Sequence, residues 1–166
     1  MLRLTQAKEQ QYSDWAYGIY VRSATGQDLD DLREQAVVDR LRLATDFLAA
    51  AEALMKARPP RYRDAISRYY YAMYHSIRAA ALFSHQGDDQ STHAELPGRT
   101  PGDFPNTATR QNELKNARAL RNQADYDPYP ADEVHWKAQA RLIRPLAASL
   151  LGDVRAFLLS KGCRHL

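Results

Sequence analysis

The chain has 166 residues, 45% hydrophobic and 26% charged, enough for one compact domain with a real core and too apolar for wholesale disorder. Its formal net charge of +3 is compatible with a nucleic-acid partner without requiring one. A single cysteine, Cys163, excludes an internal disulfide and a cysteine-built zinc cluster. No apolar run approaches the roughly 20 residues of a membrane span, and Met1-Leu2-Arg3-Leu4-Thr5-Gln6 has no signal-peptide core. The expectation is a cytoplasmic protein with no membrane contact.

Residues 1–27 stand apart as an aromatic arm. Trp15, Tyr17, Ile19 and Val21 alternate with Ala16, Gly18, Tyr20 and Arg22, a period of two that predicts a short extended segment packed on the body. Ser23-Ala24-Thr25-Gly26 reads as a loop. Asp28 then suits a helix N-cap, with Asp30 and Asp31 in the first turn. Val37, Leu41, Ala44, Leu48, Ala51 and Met55 recur at three- and four-residue steps, predicting an amphipathic helix to Lys56 that Arg58-Pro59-Pro60 ends.

A second helix is predicted over about 61–83. Tyr62, Ile66, Tyr69, Tyr70, Met73, Ile77 and Ala80 share one side. At about 100° per residue, Arg61, Arg68 and His75 fall opposite, with Arg78 nearby. Buried tyrosine hydroxyls need partners, so several should bond to polar groups. Residues 85–106 form the longest irregular stretch and contain His93, Glu95 and Arg99; such loops are usually functional or mobile.

Asn106 or Thr107 can cap a third helix carrying Leu114, Ala117 and Leu120 toward Arg121. Pro128 and Pro130 stop it, since proline lacks the backbone donor and clashes with the preceding turn. A fourth helix starts near Asp132, and Pro145 kinks it or begins a fifth segment that ends at Gly162. The expected fold is all-α, an antiparallel bundle of four to five helices over 28–162, with the last helix broken at Pro145.

Several mechanisms are absent. The sequence holds no glycine-rich phosphate loop, no His-Glu-x-x-His zinc helix and no Gly-x-Ser-x-Gly elbow. Neither a metal nor a cofactor is called for. Polar groups instead concentrate where the third helix ends: Arg118, Arg121, Asn122, Asp125, Tyr126, Asp127 and Tyr129. Such a cluster is either a solvated helix cap or a site.

Two motifs carry a family resemblance. Ser67-Arg68-Tyr69-Tyr70-Tyr71-Ala72-Met73-Tyr74-His75-Ser76-Ile77-Arg78, followed by a histidine-containing loop, precedes Ala117-Arg118-Ala119-Leu120-Arg121-Asn122-Gln123-Ala124-Asp125-Tyr126-Asp127. Together, over roughly 28–159, they resemble the HEPN superfamily of nucleotide-binding helical domains, especially small stand-alone prokaryotic members with an Arg-x-x-Ala-Asp-Tyr signature. The resemblance implies a homodimer with the arginine-bearing helix ends face to face. It also implies RNA or nucleotide phosphate as ligand, and metal-independent endoribonuclease activity in many members. Toxin or phage-defence roles follow, some with a nucleotidyltransferase antitoxin that modifies a tyrosine near the site. In ribonucleolytic members an arginine holds phosphate and a histidine four to six residues later moves protons. Those positions here hold Tyr126, Asp127 and Pro128, and a phenol titrates near 10.

Three readings stay open. In the first, Arg121 and its dimer mate hold RNA or nucleotide phosphate in a degenerate, histidine-less site of a toxin–antitoxin or defence component. In the second, an active ribonuclease uses Arg121 and Asn122 on phosphate, with Asp125, Tyr126 or His93 moving protons and Arg78 and Tyr129 as accessories. In the third, Arg121 and Asp125 only fasten the helix end of a dimeric scaffold.

Overall fold

The computed structural model describes residues 9–26, 28–85 and 93–166, the side chains of residues 9–16 and of Leu29 excepted. Met1–Gln6, the Trp15 side chain and the Gln86-Gly87-Asp88-Asp89 part of the long loop therefore lie outside the described residues. Five α-helices follow in order: α1 Glu9–Thr25, α2 Leu29–Lys56, α3 Tyr62–His85, α4 Thr107–Tyr126 and α5 Glu133–Ser160. A 3-10 turn, Leu96–Arg99, precedes α4. The described chain is all-helical.

The hub is α3, against which α2, α5 and α4 all pack. Ile66, Tyr69, Met73 and Ile77, predicted to share a face, are fully buried, and burying such a side chain is worth about 1.5–3 kcal/mol. Around them lie Val37, Leu41 and Ala51 of α2 and Ile143, Leu150 and Val154 of α5. So much of α3 is buried that between Asp64 and Ala79 only Asp64, Arg68, Tyr71, His75 and Arg78 are not. Steps of three and four place these five on one stripe of the helix. The stripe faces the space between α2 and α4, which make at most a marginal contact with each other.

Helix ends follow local chemistry. Asp28 caps α2 as expected, its side chain accepting from the Asp30 N–H at 2.8 Å. Asp132 caps α5 through the His135 N–H. Gly162 (φ +83°) and Cys163 close α5, with Gly162 N–H bonded to Leu159 O and Cys163 N–H to Leu158 O, both at 3.0 Å. That is the paired six-to-one and five-to-two pattern glycine permits. Asn106 takes the N-cap position of α4 in the left-handed region (φ 54°) without a side-chain cap, and the Thr107 hydroxyl bonds back to the Pro101 carbonyl.

Two expectations are corrected. The arm is not extended, because α1 occupies Glu9–Thr25 and takes in most of the supposed loop before Gly26 turns the chain (φ +70°). Its period of two was short, and helix hydrogen bonds within the segment override so weak a pattern. Nor does the arm pack on the body through its described aromatics, since Tyr17 and Tyr20 are 67% and 66% exposed. The fresh start at Pro145 is also absent, and α5 runs through it as one 28-residue helix. Proline there deprives only the Arg141 carbonyl of its donor, and both residues are exposed, so water can satisfy that carbonyl.

The 93–106 part of the long loop is packed on the body. From His93 onward Leu96, Pro97 and Phe104 are buried, with Phe104 edge-on to Phe157 at 5.1 Å. α4 is tied to α5 by Arg110, which reaches Glu113 at 2.7 Å, Ser149 at 2.8 Å, and Asp153.

Candidate phosphate-binding site at the end of the fourth helix

The last two turns of α4 lie beside the unburied stripe of α3. Arg63 at the start of α3 fixes the approach: its Nε donates to the Ala124 carbonyl at 2.6 Å and its Nη2 to the Asp127 carbonyl at 3.2 Å. These are the orphan acceptors of a helix C-terminus, where a cation is favoured. Arg63 also lies over Trp136, 5.5 Å from the ring centre, so one side chain ties α3, α4 and α5 together.

Arg121 is held from three directions. Its Nε is 2.7 Å from Asp125 Oδ2, too far off line for a hydrogen bond. Nη2 donates to the Tyr71 hydroxyl at 3.0 Å, and Nη1 to Asn122 Oδ1 at 3.2 Å. Its guanidinium lies 5.0 Å from the Tyr126 ring centre and 5.5 Å from that of Tyr71. Partial burial opposes the charge, but Tyr71, Asp125 and Tyr126 outweigh it and hold Arg121 above its ordinary value. A guanidinium has five donor hydrogens, so the two hydrogen bonds leave others for a ligand. Asp125 Oδ2 also accepts from the Ser67 hydroxyl at 3.3 Å.

These groups line a cavity of about 270 Å³ bounded by Asp64, Ser67, Arg68, Tyr71, Arg121 and Asp125. Arg68 lies over Phe47 at 5.7 Å. Two guanidinium groups, a hydroxyl and a phenol around a small polar cavity can receive a tetrahedral anion, because guanidinium is permanently charged and forked toward phosphate oxygens, while the Asp64 and Asp125 carboxylates in the same lining compete with it.

A second cluster continues the stripe. His93, from the loop, stacks on Tyr74 (4.2 Å between ring centres, 20° between planes) and meets the Tyr71 ring edge-on at 6.0 Å. Its Nδ1 is 2.7 Å from the Tyr70 hydroxyl, which burial keeps protonated by raising its pKa. With Nδ1 engaged, Nε2 is the nitrogen left to exchange a proton with a ligand. His93 is exposed as a residue, yet burial of the ring on the tyrosines, then Arg121, Arg118 and Arg78, lowers its pKa. Arg78 lies over Tyr74 at 5.5 Å and donates to its hydroxyl at 3.4 Å. His75, stacked on Phe47 at 5.4 Å, is pushed down to about 4 by burial, Arg78, Arg40 and His93.

The candidates thus separate. Arg121, Asn122, Asp125 and Tyr126 are together, as adjacent helical positions require. His93 and Arg78 sit at the neighbouring cluster, joined to Arg121 through Tyr71. Tyr129 is 89% exposed in the turn, where its N–H bonds to Asp127 Oδ1. Sequence reasoning missed Tyr71, Ser67 and Arg63. Tyr71 was findable, being three residues after Arg68 and four before His75 on the predicted polar side. Arg63 carried no such signal, since its partners are carbonyls some sixty residues away.

The fold and site define a small helical domain with a polar cavity at a helix end. The HEPN domain model matches residues 37–158, and the chain belongs to that family. Membership points in general to RNA-related or nucleotide-binding function. The chain matches no curated protein. Among the described residues no helix is long and apolar enough to cross a membrane.

Proposed function

We propose that the protein binds RNA or nucleotide phosphate through Arg121 and does not cleave efficiently. The observation that carries this is the cavity shared by Arg121, Arg68, Ser67 and Tyr71, with the guanidinium held in place before any ligand arrives. No histidine stands on α4 beyond Arg121, and loss of a positioned acid–base group commonly costs about 10²–10⁴ in rate. The protein acts as a homodimer with the α4 ends facing each other, in a cytoplasmic toxin–antitoxin or phage-defence system. Supporting the dimer are Tyr126, Tyr129 and Val134, 69%, 89% and 74% exposed around the α4–α5 turn. A nucleotidyltransferase antitoxin could reach either tyrosine there, and the mass of co-expressed protein would reveal the added nucleotidyl group.

One observation favours the ribonuclease reading as the second choice: His93, anchored by Tyr70, shares Tyr71 as a wall with Arg121. Single-stranded and structured RNA, incubated with and without EDTA beside Arg121→Ala, separates the readings. The expected result is salt-dependent binding that Arg121→Ala abolishes, with no cleavage. Cleavage that survives EDTA and is lost in Arg121→Ala and His93→Ala establishes the ribonuclease. Absence of both binding and cleavage leaves the scaffold.

A further inference from the structure

A second cavity, of about 350 Å³, opens at the start of α3. It is within the roughly 300–1,000 Å³ typical of small-ligand sites. Its walls include Tyr62, Trp136, Pro60 and Pro130, together with the Asp64 and Glu133 carboxylates and the Arg61 and Arg63 guanidinium groups. Trp136 is fixed in its wall because its indole N–H donates to the Ala131 carbonyl at 2.8 Å. Asp64 lines this cavity and the Arg121 cavity alike. Ser67 and Arg68 of the anion cavity follow Asp64 by three and four residues, about one helical turn or 5–6 Å. An apolar, aromatic-walled chamber thus adjoins the arginine-bearing one, the two sharing Asp64 as a wall.

The chemistry of the rim narrows the ligand. Arg61 donates to Asp64 and Arg63 to the Ala124 and Asp127 carbonyls, and carboxylates only accept hydrogen bonds, so Asp64 and Glu133 favour bases that present amino hydrogens. Asp64 Oδ2 accepts from Arg61 Nε at 2.8 Å, which leaves its other lone pairs for a ligand. Stacking on aromatic rings is tolerant of base identity and contributes affinity for any base. We propose that this cavity is a nucleobase chamber, taking the amino-bearing base of a nucleotide unit whose phosphate lies against Arg121 and Arg68. It rests on the phosphate-binding reading of Arg121 and adds to it the part of the ligand that phosphate contacts cannot distinguish.

The chain has two tryptophans, so in a Trp15→Phe background Trp136 fluorescence reports occupancy. The full chain is titrated with AMP, UMP and ribose 5-phosphate by isothermal calorimetry, which reads affinity whether or not the chamber is filled. AMP is expected to bind about tenfold tighter than ribose 5-phosphate. Ala131→Phe, at an exposed position lining the chamber, fills it and brings AMP down to the ribose 5-phosphate level without changing ribose 5-phosphate itself. Glu133→Gln, also exposed, lowers the preference for AMP over UMP several-fold. Arg121→Ala weakens AMP and ribose 5-phosphate alike. Equal binding of AMP and ribose 5-phosphate by the unsubstituted chain overturns the chamber while leaving Arg121 its role. Probes indifferent to Arg121→Ala, or failing to bind at all, overturn the phosphate reading and the proposal with it. A short oligoadenylate that competes with AMP marks a strand as the source of the nucleotide unit; one that does not compete marks a free nucleotide.

Discussion

Arg121 Nε lies 2.7 Å from Asp125 Oδ2, one helical turn away, with their side chains 18% and 25% exposed. The carboxylate both orients the guanidinium and competes with any incoming anion. Asp125→Asn keeps an acceptor for Ser67 but removes the competing charge. We expect a stability loss of about 0.5–1 kcal/mol, typical of a partly buried helical ion pair. Phosphate or RNA affinity should rise several-fold, read by titration at fixed salt. If the pair only fastened the helix end, the stability loss would appear and neither form would bind.

The imidazole of His75 is stacked on Phe47, its Nδ1 buried without a partner among the described residues. Held down to about 4, it binds its proton more weakly folded than unfolded. Its contribution to stability is therefore full above the ordinary value of 6.5 and is lost as pH falls toward 4. The shift corresponds to at most about 3 kcal/mol, reduced by partial exposure. Urea midpoints should fall across that window, and His75→Phe, which keeps the ring stack, should flatten the fall. Equal slopes in both proteins would show that His75 titrates without strain.

Tyr69 and Arg144 meet on one carboxylate. The buried Tyr69 hydroxyl donates to Glu52 Oε1 at 2.8 Å, and Arg144 grips both Glu52 oxygens at 2.7 and 2.6 Å. Glu52→Ala strands the hydroxyl, at a cost of about 1–3 kcal/mol. In a Tyr69→Phe background the same change should cost about 1 kcal/mol less, because nothing buried is left unpaired. Denaturant melts of the four proteins give that coupling; additive costs would mean water already satisfies Tyr69.

How far these relationships could be read from sequence depends on their range. α2, α3 and α4 were legible because three- and four-residue apolar steps, with Asp28 before and prolines after, all agree. The buried tyrosines were legible as hydroxyls in need of partners, but Glu52 and His93 as those partners were not, since pairing between distant segments leaves no local pattern. Arg121 was picked out through the company of its motif. Its shared wall with His93 comes from the docking of Leu96 and Pro97, which places the loop and which periodicity cannot register. α1 failed for the opposite reason: a handful of alternating residues mimicked a strand where the backbone is helical.

Pro145 is the sharpest of these failures, and it gives a direct test. In a continuous α5, Pro145→Ala restores an N–H able to reach the Arg141 carbonyl, at a position where both residues are exposed. Alanine is preferred to proline in a helix interior by up to about 3 kcal/mol, and part of that is already relieved by water on the Arg141 carbonyl. The expected gain is about 1–2 kcal/mol, visible as a higher urea midpoint with unchanged slope. The backbone amide that the substitution introduces should then be protected from hydrogen exchange. If the helix were instead two segments meeting at Pro145, the new amide would exchange freely and the midpoint would stay or fall.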